Sequence, residues 1–160
     1  MEAEVTKEHQ WLHQLLGDWT MEGECVVGPD QPAIKSTGAE TVHSLGGVWV
    51  LCDGNGETPG GGGMKSLMTL GYDPAKKRFV GTFVASCMTH QWVYEGGLDE
   101  SGKALTLDCK GPSFTKPGEL ADYKDTITII SPDHRTLTSQ TQGDDGKWVQ
   151  FMTAHYRRKA

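Results

Sequence analysis

The run Met88-Thr89-His90-Gln91-Trp92-Val93-Tyr94-Glu95 carries the densest set of groups able to do chemistry in this 160-residue chain. Successive side chains of an extended strand alternate between faces. His90, Trp92 and Tyr94 therefore share one side, and Gln91, Val93 and Glu95 the other. An imidazole beside two aromatics with hydrogen-bonding tips suits one wall of a pocket. If the wall is packed shut or faces outward, the same residues are structural. A second set lies near the C-terminus, where Phe151, Thr153 and His155 alternate with Gln150, Met152, Ala154 and Tyr156. In a closed barrel the last strand lies beside the first, so Met152 or His155 can face Met21 or Glu22 across that seam. A histidine with a free ring nitrogen can ligate iron, and with a pKa near about 6.5 it can move protons around neutrality. His90, Trp92, Tyr94, Met21, Met152 and His155 are thus the candidate ligand-binding residues. No catalytic residue is assigned.

Other combinations are weaker. Glu40 and His43 are three apart, hence on opposite faces of one strand, and cannot form a dyad there. Glu22 and Glu24 share a face opposite Trp19 and Met21, so an apolar interior leaves them solvated rather than paired for acid–base work. His9 and His13 are four apart on a helix, a spacing that can hold a metal. They sit at the edge of its apolar arc, as partly exposed neighbours of the rim, and the His-Glu-x-x-His arrangement of a zinc protease is absent. The glycines at 60–63 lack the Lys-Ser/Thr ending and the following helix of a phosphate loop, and no Gly-x-Ser-x-Gly elbow occurs. Cys25, Cys52, Cys87 and Cys109 stand singly, with no CxxC pair, and read as buried reduced thiols. No metal site and no cofactor is expected.

The elements that position these residues have a clear grammar. Thr6 is suited to cap a helix whose apolar face is Trp11, Leu12, Leu15 and Leu16 and whose stop is Gly17, giving a helix over 6–16. From Trp19 the period changes to two, with Trp19, Met21, Gly23, Cys25 and Val27 on one side. Strand-like runs follow near 38–45, 47–53, 64–72, 78–87, 90–98, 104–110, 121–131, 135–142 and 147–157. Most are separated by short turns such as Asp73-Pro74-Ala75-Lys76-Lys77 and Gly143-Asp144-Asp145-Gly146. The stretches 53–63 and 111–118 break this rhythm and read as longer loops at a barrel mouth. Nine or ten short strands in hairpin succession predict an all-β, antiparallel up-and-down barrel over 17–157 with one capping helix. A two-sheet sandwich is the alternative.

Composition agrees with one domain spanning 1–160. Twenty-one glycines are about twice the usual share and suggest many turns. A net charge of −6 with no basic stripe beyond Arg157-Arg158-Lys159 argues against nucleic acid. No apolar run is long enough for a transmembrane helix, and the acidic start lacks the order of a secretory signal, so a cytoplasmic location is expected.

Several ordered motifs carry a resemblance over nearly the whole chain. They are Glu8-His9-Gln10-Trp11-Leu12 through Gly17-Asp18-Trp19, Ser44-Leu45-Gly46-Gly47-Val48-Trp49-Val50, Met68-Thr69-Leu70-Gly71-Tyr72-Asp73-Pro74, Gly81-Thr82-Phe83 and Phe151-Met152-Thr153-Ala154-His155-Tyr156. Together they resemble the bacterial domain-of-unknown-function family number fifteen-seventy-nine. That resemblance implies a lipocalin-like (calycin) β-barrel and carries no activity, cofactor or catalytic residue. The Gly-x-Trp opening is also similar, over the first strand, to fatty-acid-binding-like and nitrobindin-type haem barrels, an analogy of fold.

The expected function is a binding module for a small hydrophobic or amphipathic molecule, its polar end meeting His90, Tyr94 or a nearby carboxylate. Three alternatives stay open. One is a weak acid–base enzyme using His90 or His155, another a haem barrel. The third is a homodimer formed through an outer patch containing Trp49 or Trp92.

Overall fold

In the computed structural model, which describes residues 1–26, 30–57 and 62–159, the chain forms a closed ten-stranded barrel. It opens with α1 (Lys7–Leu12) and a 3-10 turn (His13–Leu15). The Thr6 hydroxyl accepts the His9 backbone N–H, and His9 Nδ1 accepts the Thr6 N–H at 2.9 Å, so the imidazole completes a capping box. His9 Nε2–H donates to the Tyr72 carbonyl at 3.0 Å, and the residue is only 4% exposed. This corrects the expectation of a partly exposed rim position: the ring is consumed by capping and docking the helix. His13 is half-buried and donates to the Gly47 carbonyl.

The strands are β1 (Gly17–Cys25), β2 (Ile34–Leu45), β3 (Trp49–Glu57), β4 (Gly63–Asp73) and β5 (Arg78–Ala85). They continue with β6 (Trp92–Leu98), β7 (Ala104–Pro112), β8 (Leu120–Ser131), β9 (His134–Gln142) and β10 (Trp148–Arg158). Each pairs antiparallel with its sequence neighbours, and β1 closes on β10 in the register Met21↔Tyr156, Glu22↔His155, Cys25↔Met152. Closure leaves no open sheet edge. The stretch expected to loop from 53 is β3 as far as Glu57 and β4 from Gly63. Of the glycines at 60–63, Gly60 and Gly61 lie outside the described residues, as does Val27, which the alternation places on the face of Trp19.

One end is sealed by the helix, with Leu12 and Leu15 buried against Trp19. The Trp19 indole N–H donates to the Leu15 carbonyl at 2.8 Å. Arg158 lies over the same ring at 4.2 Å and donates to the carbonyls of Leu16 and Gln14, tying the last strand to the plug. Gly17, at φ +120°, supplies the turn from plug to strand that a side chain would resist. Among the described residues no helix is long and apolar enough to cross a membrane.

The glycines have a second role beside turns. Gly23, Gly38, Gly54 and Gly56 lie within β1 to β3 on the inward-facing register, with Ser36, Ser66 and Ala154 beside them. Across the barrel, Phe83, Trp92, Tyr94 and Tyr123 project inward, and a Cβ added at Gly111 would overlap the Trp92 ring. Small residues on one side and aromatics on the other leave the interior hollow off-centre.

Candidate functional site

That hollow is a cavity of about 220 Å³. Its mouth is marked by Cys25 and Met64, its walls by Met21, Met68, Met152 and Phe83, and its floor by Leu15 of the plug. At the floor four groups meet. β2 places Glu40 inward, opposite Trp19 of β1, and β9 places Arg135 inward, opposite Tyr156 of β10. The Arg135 guanidinium is ion-paired with Glu40, the side chains being 4% and 12% exposed. It also lies 4.6 Å from the Trp19 ring centre and 4.1 Å from that of Tyr156. Such contacts between a desolvated cation and aromatic faces contribute about 0.5–2 kcal/mol each.

Electrostatics follow from this packing. Burial, with Glu40 nearby, pushes the Tyr156 hydroxyl and the Cys52 thiol well above their ordinary pKa values, so both stay protonated. Elsewhere in the interior, Tyr94 donates to Asp125 Oδ2 and Ser139 to Oδ1, each at 2.6 Å. Burial raises the Asp125 pKa, and those two hydroxyls only partly oppose it. Burial likewise raises the Cys109 thiol, to about 12, with Asp125 and Asp108 adding to it. The thiols do not all match the expectation of burial: Cys52 and Cys109 are buried, Cys25 is half-buried, and Cys87 is exposed. All four are unpaired.

The six residues singled out in the sequence separate. Met21 and Met152 line the cavity. Trp92 and Tyr94 face inward as alternation required, yet they fill the aromatic half rather than border the space. His90 precedes β6; its ring meets Trp92 edge-on, and Nε2–H donates to the Lys110 carbonyl at 2.8 Å. His155 is on the outer face, opposite Glu22 and stacked on His134 with a 3.0 Å ring-to-ring hydrogen bond. Its interior placement is corrected: Ala154 and Tyr156, its neighbours on β10, are the buried pair, and alternation sends His155 out. No histidine borders the cavity among the described residues, so the acid–base alternative lacks the interior base it required. Trp49 is 39% exposed on the outer wall, whereas Trp92 is not available there.

Sequence reasoning missed Arg135, Tyr156, Asp125 and Ser139, and weighed Glu40 only as a partner of His43. A signal existed for Arg135. It shares the inward register with Leu137 and Ser139, so a closed barrel buries a guanidinium unless it is paired.

Against this geometry, the family model described as "Protein of unknown function (DUF1579)" matches residues 4–158. The chain belongs to this family. No curated protein matches it. Among solved structures, the S-type phycobiliprotein lyase CPES from Guillardia theta is similar at TM-score 0.65 and 13% identity, with 99% of each chain covered. Rv2717c from M. tuberculosis is similar at TM-score 0.67 and 13% identity, over 98% of this chain and 100% of that one. The EF1p2_mFAP2b barrel, bound to DFHBI, is similar at TM-score 0.51 and 15% identity, over 94% of this chain and 98% of that one. At such identities the likeness is one of fold, a lipocalin-like antiparallel barrel.

Proposed function

We propose that this family member is a binding protein for a small, mostly apolar molecule held in the barrel cavity, with Met21 and Met152 against its body and its polar end at the floor. One observation carries the reading. An arginine offers five N–H donors, and the buried Arg135, which borders the cavity, makes one side-chain hydrogen bond among the described residues, to Glu40. Buried donors are otherwise nearly always satisfied, so an under-used guanidinium bordering a cavity suits an acceptor from outside the chain. Size fits as well. A cavity of about 150 Å³ takes benzene, so 220 Å³ takes a ring with a short substituent. EF1p2_mFAP2b, a barrel of the same fold, is bound to DFHBI, which supports the reading by analogy.

The test is a thermal-shift titration with n-butylbenzene, alongside native mass spectrometry of protein purified without denaturation. At a tenfold excess over Kd, binding stabilises by about 1.4 kcal/mol, which raises Tm by about 3–6 °C. Ala154→Leu, which pushes three carbons into the cavity, abolishes the shift without lowering stability. No shift in the wild type, or a variant destabilised like an overpacked core by about 1–3 kcal/mol, refutes the reading.

A further inference from the structure

We infer, resting on the binding reading above, that the cavity selects an uncharged ligand end bearing a carbonyl-type acceptor oxygen, received jointly by Arg135 and Tyr156, and rejects carboxylates. Three observations converge on this choice. First, two donors wait at one place. Arg135 Nε is buried with no partner, and Nη1 makes no hydrogen bond among the described residues. The Tyr156 hydroxyl makes none either; the residue is 9% exposed, borders the same cavity, and stands opposite Arg135 in the β9–β10 register. A carbonyl oxygen has two lone pairs and can accept from both.

Second, the charge of Arg135 is already answered. Glu40 pairs with it directly, and Asp125, held by Tyr94 and Ser139, is a further carboxyl with no cation among the described residues. A bound carboxylate would place another negative charge beside Glu40 in a medium of low polarity, with one guanidinium to serve both. A neutral acceptor takes the spare N–H groups without disturbing that balance.

Third, the walls are soft. Four of the six methionines of the chain, Met21, Met64, Met68 and Met152, line the cavity. Thioethers are polarizable, adapt their shape, and make favourable contacts with ring edges. An aromatic or conjugated body carrying a carbonyl fits both wall and floor.

The experiment uses three probes of one shape with the full chain: 4-phenyl-2-butanone, 3-phenylpropanoate and the hydrocarbon isopentylbenzene, titrated calorimetrically at pH 7.5. The ketone is expected to bind at least about tenfold more tightly than the carboxylate. Tyr156→Phe is expected to weaken the ketone about fivefold, the effect of one neutral hydrogen bond, while hydrocarbon binding stays within about twofold. Glu40→Gln is expected to narrow the gap by strengthening the carboxylate. Because that variant leaves a buried cation unpaired and can fail to fold, the wild-type comparison and Tyr156→Phe decide the question. A carboxylate as tight as the ketone, or a Tyr156→Phe loss equal for all probes, overturns the head-group assignment while the cavity reading survives on the hydrocarbon. If the hydrocarbon itself does not bind, the cavity reading falls instead.

Discussion

Removing Glu40 is the sharpest perturbation of the barrel floor. Its pair with Arg135 is nearly dry, at 12% and 4% side-chain exposure, so it belongs with buried ion pairs rather than surface ones. A surface pair would be worth about 0–1 kcal/mol. Breaking a buried pair leaves a charge uncompensated, at about 3–5 kcal/mol. The Trp19 and Tyr156 rings still face the guanidinium after the mutation and soften the loss, which places Glu40→Ala near the lower end, about 3 kcal/mol. For a domain of this length that lowers Tm by about 6–12 °C. Replacing both partners, as Glu40→Met with Arg135→Met, removes the stranded charge, so the double variant is close to wild type or more stable. The assay is equilibrium urea unfolding followed by tryptophan fluorescence, run on wild type, both single variants and the double variant to give the coupling energy. A Glu40→Ala loss of no more than about 1 kcal/mol, with coupling under about 0.5 kcal/mol, would show a solvated floor and refute the reasoning.

Trp19→Phe loses the indole bond to Leu15 and reduces the ring surface facing Arg135 and Arg158; urea unfolding should register a loss of about 2 kcal/mol. Gly111→Ala forces a methyl into the Trp92 ring, and a loss of about 1–3 kcal/mol with a changed near-ultraviolet circular dichroism signal is expected; an unchanged protein contradicts the packing described. Asp125 gives a pH dependence. Burial raises its folded pKa above the ordinary value near 3.8, so the proton is held more tightly when folded. The associated stability is present below about 3.8 and lost as pH rises through the folded value. Asp125→Asn lacks this loss, so its stability relative to wild type should increase as pH rises through that window. A pH-independent difference would count against a burial-dominated Asp125.

Much of the fold was legible because it depends on local chemistry. Thr6 and Gly17 bound the plug, period-two alternation runs through β1 to β10, and short polar turns tie neighbours into hairpins. Family membership followed from motifs in order along the chain. The site was less legible. Met21 and Met152 were chosen for their place on the seam strands, and both border the cavity. His90, Trp92 and Tyr94 were chosen for chemical richness, a criterion blind to which half of a barrel is filled.

What the sequence determined by itself is the alternation: which side chains share a strand face, and so that Trp92 and Tyr94 point together and that Glu40 and His43 point apart. Those relations hold within a single strand and need only its geometry. Tertiary structure alone decided which small residues lie across from one another. Gly23 on β1 and Ala154 on β10 meet only through closure, and register across β2 carries the row on to Gly54 and Ser66 of the β3–β4 hairpin, so that together they border one void. The same closure brings Arg135 to Glu40, 95 residues away, and to Trp19 and Tyr156. A buried charge is tolerable only with such partners, and partners of that kind are a property of the closed barrel rather than of any one segment.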